Sequence, residues 1–313
     1  MPRSAARRFA RIWATWIAES LGEGFRPTLT LSPAVAKAKS VRELLRARVG
    51  PDGFQMASVD PDSSPGLKGG KQRALREIKK DVPVLFGLHE RLYAESKQSL
   101  LVVLQGMDTA GKDGTITHVV GNFNPQGVLI TAFKAPSPEE RRHHFLWRIR
   151  KCVPEVGDVG IFNRSHYEDV LIVRVHNLAP AKVIDKRYGE INDFENELVR
   201  GGTRVVKICL HISYEEQRSR LIDRLENPDK RWKFNEHDID ERALWEDYMS
   251  AYGIAISRCS PPEAPWYVVP ANNKAYRNWA VSQILAETLE EMNPQYPRPK
   301  LDIKRLLKRL ASS

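Results

Sequence analysis

The 313-residue chain is long enough for one large or two ordinary domains with a sizeable core. Its 49 Lys and Arg against 39 Asp and Glu leave a formal charge of +10, a balance that fits a polyanionic partner such as nucleic acid, nucleotides or polyphosphate. Three scattered cysteines (Cys152, Cys209, Cys259) argue against a disulfide scaffold or a zinc site and fit a reducing cytoplasm, and no apolar run approaches the ~18 residues of a bilayer span, so no membrane partner is expected.

Residues 1–70 read as an N-terminal extension. Arg3, Arg7, Arg8 and Arg11 precede Ile12-Trp13-Ala14-Thr15-Trp16-Ile17 with no acid before Glu19, a pattern shared by presequences, short amphipathic helices and plain extensions. Pro51-Asp52-Gly53 and Asp60–Gly66 are turn chemistry. Lys68 and Lys71 flank Gly69-Gly70 and can hold a long polyanion, though linker solubility accounts for them too. From Lys71, Leu75, Ile78, Val82, Leu85, Leu88 and Leu92 recur at helical spacing. Beyond Leu100, strand-like runs at 100–104, 128–132, 159–162, 204–210 and 266–269 alternate with helical segments near 112–122, 138–151, 180–200, 214–226, 239–256 and 274–292. Such alternation predicts a single α/β domain whose parallel sheet is covered on both faces.

The first strand runs directly into Gly106-Met107-Asp108-Thr109-Ala110-Gly111-Lys112-Asp113-Gly114, then into a helix. Gly106 and Gly111-Lys112 fit the G-x-x-x-x-G-K spacing of a phosphate cradle, in which backbone N–H groups and a helix N-terminus meet phosphate oxygens and the lysine adds a mobile charge. Asp113 occupies the usual Ser/Thr place. Asp108 and Asp113 can bind a divalent cation at the mouth of the loop; Asp113 can equally serve as an electrostatic helix cap.

Two further segments belong with the loop. Phe162-Asn163-Arg164-Ser165-His166-Tyr167-Glu168-Asp169 follows the third strand, at the carboxyl end of the sheet where ligands bind. Arg164 can fork onto a phosphate, Asp169 can hold metal or start a helix, and His166 reads as a structural hydrogen-bonder. Lys134, just past the second strand, points to phosphate by the same positional argument. Ser213 and Glu216 form a capping box for a helix bearing Arg220 and Arg224 on one face. The Asn227-Pro228-Asp229 break then leads into Lys230, Arg231 and Lys233, a basic turn between helices that has the form of a kinase lid.

Taken together, GMDTAGKDG, FNRSHYEDV, NPDKRWKF and APWYVVPANNKAYRNW resemble polyphosphate kinase family 2 over about residues 45–297, in the family's order and spacing. The resemblance implies a P-loop kinase-like three-layer sandwich with a five-stranded parallel sheet over residues 71–297, a helical lid at about 214–247 and a basic tail at 298–313. It also implies phosphoryl transfer between inorganic polyphosphate and nucleotides with Mg²⁺ (or Mn²⁺). Asp108, Lys112 and Arg164 would be catalytic; Gly106, Thr109, Ala110, Gly111, Asp113, Gly114, Lys134, Arg224, Lys230, Arg231 and Lys233 would bind phosphate or nucleotide. Lys68 and Lys71 would hold polyphosphate, and Asp108 and Asp169 the metal. RSHYEDV and DKRWKF resemble the branch acting on AMP and ADP, with guanine nucleotides a further possibility. A dimer or tetramer is expected, with no specific nucleic-acid partner. Two departures stand out: Asn163 where relatives often carry Asp, and His118 beside Thr117 where many carry a basic residue. An ATP-dependent nucleoside monophosphate kinase on the same fold is the alternative enzyme. A basic nucleic-acid-binding protein would call for aromatic-interleaved basic strands, and the sequence offers none.

Overall fold

Leu100–Leu104 is apolar at every position because both faces of its strand are covered. A computed structural model of the chain describes residues 40–312; the arginine-rich segment at Arg3–Arg11 lies outside them. The described elements run, in chain order, α1 (Val41–Leu45), α2 (Gly70–Glu95), β1 (Ser99–Gln105), α3 (Lys112–His118), β2 (Val128–Ala132), α4 (Trp147–Arg150), β3 (Val159–Asn163), α5 (Ile172–Val175), α6 (Ala181–Arg200), β4 (Thr203–His211), α7 (Tyr214–Glu226), α8 (His237–Ala243), α9 (Trp245–Arg258), β5 (Trp266–Pro270), α10 (Lys274–Met292) and α11 (Ile303–Ala311). The five strands form one parallel sheet in the order β2-β3-β1-β4-β5. β1 is central and wholly buried, so the loop that leaves its carboxyl end is rooted in the middle of the core. β2 is the exception. Leu129 and Ile130, neighbours that point to opposite faces, are 46% and 53% exposed, so at these positions the edge strand is open on both sides among the described residues.

The stretch expected as a leading arm enters the core from Ser40 onward. Val41, Leu45, Phe54 and Met56 are buried, Glu287 of α10 accepts from the backbone N–H groups of Val41 and Arg42 at 2.8 and 3.1 Å, and Arg46 bridges antiparallel to Tyr267 of β5. Its short helix and turns carry too few repeats for periodicity to reveal. The helix expected over 138–151 is instead a 3₁₀ turn at Glu140–Arg142 followed by α4. Glu139 to His144 offers no apolar face to bury, and a reciprocal cap between Ser137 and Glu140 closes a single turn. The expected 239–256 helix breaks at Leu244. There the chain turns so that Arg242 lies 3.3 Å from the Tyr214 ring centroid while Trp245 packs edge-on against the same ring. The basic tail expected at 298–313 contains α11, capped by Asp302.

One polar cluster lies inside the core. Lys207 of β4 and Glu195 of α6 form a fully buried ion pair, and the Lys207 ammonium also donates to Tyr167 Oη at 3.1 Å and to the Cys259 carbonyl at 2.7 Å. Tyr167 donates to Glu195 at 2.8 Å and His166 Nε2 lies 3.3 Å from the same carboxylate. Burial alone would raise the Glu195 carboxyl; Lys207 and His166 more than reverse that and hold it below its usual value. His166 is therefore a structural hydrogen-bonder locking β3 to α6 and β4, as its sequence context indicated.

Glu195→Gln leaves the Lys207 charge buried without a counter-charge and is expected to cost about 3–5 kcal/mol in chemical denaturation. A well-packed Glu195→Leu/Lys207→Met double variant is expected to lose far less, and an equal loss in both would refute the charge argument. His211, at the end of β4, gives a pH signature. Burial pushes its imidazole down to about 4, so the unfolded chain binds the extra proton between that value and the ordinary ~6.5, and stability falls as pH drops through this window. Asp81, raised by burial to about 6, acts in the opposite sense over part of the same range, its contribution falling as pH rises. The two are separated by comparing melting curves of wild type and His211→Gln: the wild type is expected to lose about 3 kcal/mol relative to the variant between pH 7 and pH 4.

Candidate active site

The turn after β1 depends on two glycines. Gly106 has φ +150° and Gly111 φ +107°, and an added Cβ would fall 2.6 Å from the Leu210 carbonyl in the first case and 1.7 Å from an Arg277 nitrogen in the second. Thr109 and Arg164 adopt left-handed φ of 68° and 61° without being glycine, the kind of local strain that concentrates at functional turns. Lys112 opens α3 and folds back over the loop, donating to the Gly106 and Met107 carbonyls at 2.7 and 3.3 Å. The Thr109 hydroxyl is buried with no hydrogen-bond partner among the described residues.

Around this loop opens a pocket of about 1000 Å³. Ten of its lining side chains are Lys or Arg and three are Asp, a ratio suited to several phosphates at once. Asp108 projects into it and accepts from Arg164 at 2.6 Å, with Glu168 3.8 Å from the same guanidinium. Burial disfavours the Asp108 carboxylate, but Lys112, Arg164 and Arg224 outweigh it and hold its pKa below the usual range. Arg164 shows the mirror case: burial opposes its charge, and Asp108 and Glu168 more than restore it. Burial lowers the Lys112 ammonium pKa despite Asp108 nearby. Asn163 donates to Asp113 at 2.8 Å, which ties it to the acid in the Ser/Thr place.

Most of the expected site residues meet here. Asp108, Thr109, Gly111, Lys112, Asp113, Gly114, Lys134, Arg164, Arg224, Lys230, Lys233 and Lys71 line the pocket, and Gly106 and Ala110 build its loop; His118 lines it as well. Three do not join them. Asp169 turns away to pair with Arg187 at 3.3 Å, because the chain enters a 3₁₀ turn immediately after Ser165. Arg231 donates to the Leu225 carbonyl at 2.8 Å, and Lys68 stays exposed outside the pocket. Within the lid, Arg224 reaches Asp238 at 3.2 Å, Lys230 pairs with Asp223 at 2.7 Å, and Trp232 stands 78% exposed at the tip.

Sequence reasoning gave no role to Lys274, Arg277 or Asn278 and set Arg220 on the lid helix beside Arg224; all four line the pocket. Arg220 spends its whole guanidinium internally. It donates to the carbonyls of Thr109 and Ala110 in the loop (2.9 and 3.1 Å), to those of Ala271 and Asn272 after β5 (2.6 and 2.9 Å), and to Glu216 one turn away (2.7 Å). A lid arginine at helical spacing from Arg224 looks like a phosphate ligand on paper; its buried donors show a brace. Arg277 sat within a recognised sequence block, but only the absent side chains of Gly111 and Gly114 reveal that it packs against the loop.

Residues 69–297 match the family described as polyphosphate kinase 2. The chain is 51% identical over 254 residues to an AMP/ADP-polyphosphate phosphotransferase of Meiothermus ruber, covering 81% of this chain and 95% of that protein. It is 43% identical to an ADP-polyphosphate phosphotransferase of Rhodopseudomonas palustris, covering 70% and 80% respectively. The fold superposes on the crystal structure of polyphosphate kinase 2 from Arthrobacter aurescens TC1 with a TM-score of 0.85 at 48% identity, covering 88% of this chain and 98% of that one. A five-stranded parallel sheet, a phosphate loop after its central strand and covering helices make the architecture P-loop kinase-like, and the chain belongs to the polyphosphate kinase 2 family.

Proposed function

We propose that this pocket moves phosphoryl groups between inorganic polyphosphate and adenine nucleotides, accepting both AMP and ADP, with Mg²⁺ as the working ion and Mn²⁺ as its substitute. The observation that carries the reading is the distribution of cations. Arg164 and Lys134 follow β3 and β2 on one side of the central strand; Lys274 and Arg277 follow β5 on the other. The loop thus has positive charge for a donor and for an acceptor. The names of the Meiothermus and Rhodopseudomonas relatives supply the substrates.

The residues present fit a magnesium ion. Among the described residues no cluster of three or more His, Cys, Asp or Glu forms a protein-only metal cage. Mg²⁺ at phosphoryl-transfer sites needs none, since one or two carboxylates, water and substrate phosphates complete its shell. Asp108 is the leading ligand: its carboxylate is ionised and faces the pocket, and its Oδ2 takes no hydrogen bond from the described residues. Asp113 lines the same pocket, and Asp169, paired with Arg187, does not take part. When bound, the ion would neutralise charge on the donor oxygens.

The remaining work belongs to the chain. Loop N–H groups and Lys112 hold the donor's terminal phosphate. Arg164 meets charge that spreads over the equatorial oxygens during transfer, and its ion pair with Asp108 fixes its fork in advance. An acceptor phosphate is already an anionic nucleophile, so no strong general base is required, which agrees with the burial of His166. Arg224, Lys230 and Lys233 close over the phosphates and displace water. Lacking a disulfide framework, the chain fits the cytoplasm, and the uncovered edge at β2 supports assembly with further copies of itself as a dimer or tetramer.

Incubation with polyphosphate as sole donor is expected to yield ADP and ATP from AMP and ATP from ADP by chromatography. Absence of product with both acceptors would overturn the reading, and GMP and GDP in parallel define base preference. Lys112→Ala and Asp108→Ala are each expected to lower kcat at least about a hundredfold with circular dichroism unchanged. If Asp108→Ala keeps its Mg²⁺-dependent rate, the metal assignment falls.

A further inference from the structure

Arg277 is a buried cation without an acid. It lies on the first turn of α10, is 3% exposed and lines the pocket. Nε and Nη2 donate to Asn278 Oδ1 at 3.1 and 2.8 Å, and Nη1 reaches the Ala110 carbonyl at 3.5 Å. Among the described residues no Asp or Glu lies within ion-pair distance. Burial, followed by repulsion from Arg220, pushes its pKa down to about 10.

Of the other buried cations among the described residues, only Lys112, the lysine of the phosphate loop, likewise has no ion pair. Lys207 has Glu195, Arg164 has Asp108, and Arg220 has Glu216 and four carbonyls. A charge taken out of water without compensation is strongly destabilising, so its retention calls for an anion that arrives from outside. The loop is shaped around it: Cβ atoms at Gly111 and Gly114 would lie 1.7 and 2.9 Å from its terminal nitrogens. Arg277 follows β5 while Arg164 follows β3, so the two guanidiniums flank the loop from opposite sides of β1. Only one of them is neutralised by the protein.

We propose that Arg277 binds the oxyanion of a polyphosphate residue that is not transferred, one or more positions along the donor chain from the phosphate held by the loop and Lys112. This rests on the polyphosphate-donor reading and deepens it. The donor's following phosphates supply the counter-charge the protein withholds, and Asn278 keeps the guanidinium plane turned for them. A nucleotide phosphate has the same chemistry, and donor and acceptor titrations separate the two sources.

The test uses the full chain with Arg277→Met and Arg277→Lys. For Arg277→Met, KM for long-chain polyphosphate is expected to rise about tenfold or more, with KM for ADP and kcat changed less than about twofold. Its melting temperature without ligand is expected to hold or rise, because an uncompensated charge has left the interior, while the rise in melting temperature on adding polyphosphate shrinks. Arg277→Lys keeps the charge and is expected to stay within about threefold of wild type in KM for polyphosphate. A lower ligand-free melting temperature with unchanged KM for polyphosphate would make Arg277 a structural brace and overturn the proposal; so would a rise in KM for ADP alone. If the wild type forms no product from polyphosphate but does so from ATP, the donor reading fails instead, an outcome independent of the variants.

Discussion

The Arg220 guanidinium is the tie on which the site depends. Its four carbonyl acceptors come from the phosphate loop and from the turn after β5, and the side chain itself belongs to the lid helix α7. Three segments distant in sequence therefore share one buried fork. Turning the Ala110 carbonyl inward leaves the Gly111 N–H on the opposite side of that trans peptide, while the Ala110 N–H is spent within the loop on the Met107 carbonyl at 3.0 Å. The guanidinium also anchors the root of the lid. Arg220 and Arg224 stand one turn apart on one helix, yet the first is a brace and the second faces the pocket.

A second theme is how charge is balanced. Asp108 with Arg164 and Lys207 with Glu195 are internally neutral pairs, one at the pocket and one in the core. The pair in the core locks three elements together. The pair at the pocket is partly open to solvent and can exchange partners as substrates enter. Arg277 belongs to neither kind, and the field of the pocket stays positive because so many of its cations have no acid opposite them. Such a field draws in a substrate whose charge repeats along its length.

Much of this was legible in the sequence, for reasons that can be named. Strands β1, β3 and β5 are buried almost throughout and leave near-continuous apolar runs, and β4 does so apart from Arg204 and the buried Lys207; β2 was found through its short β-branched segment and the turn residues around it. The loop was readable because glycine spacing, a preceding strand and a following helix coincide. Asp169 and Arg231 were misplaced because helix and turn periodicity is lost within 3₁₀ segments, where one residue alters the direction of a side chain. Arg277 stayed hidden for a different reason: its significance lies in an acid that is missing, and a sequence displays only the acids that are present. The segment from Ser40 to Gly69 packs through a few scattered side chains and leaves no periodic trace.

Lys112 gives the resting site one further property. Its ammonium donates to the carbonyls of Gly106 and Met107, within its own loop. A donor phosphate that enters does not have to pull this lysine out of solvent or away from a carboxylate. It needs only to take over a proton that a neutral carbonyl was accepting, an exchange in which the weaker acceptor yields to the stronger. A loop held by its own lysine and by Arg220 in this way needs little rebuilding to receive a phosphate.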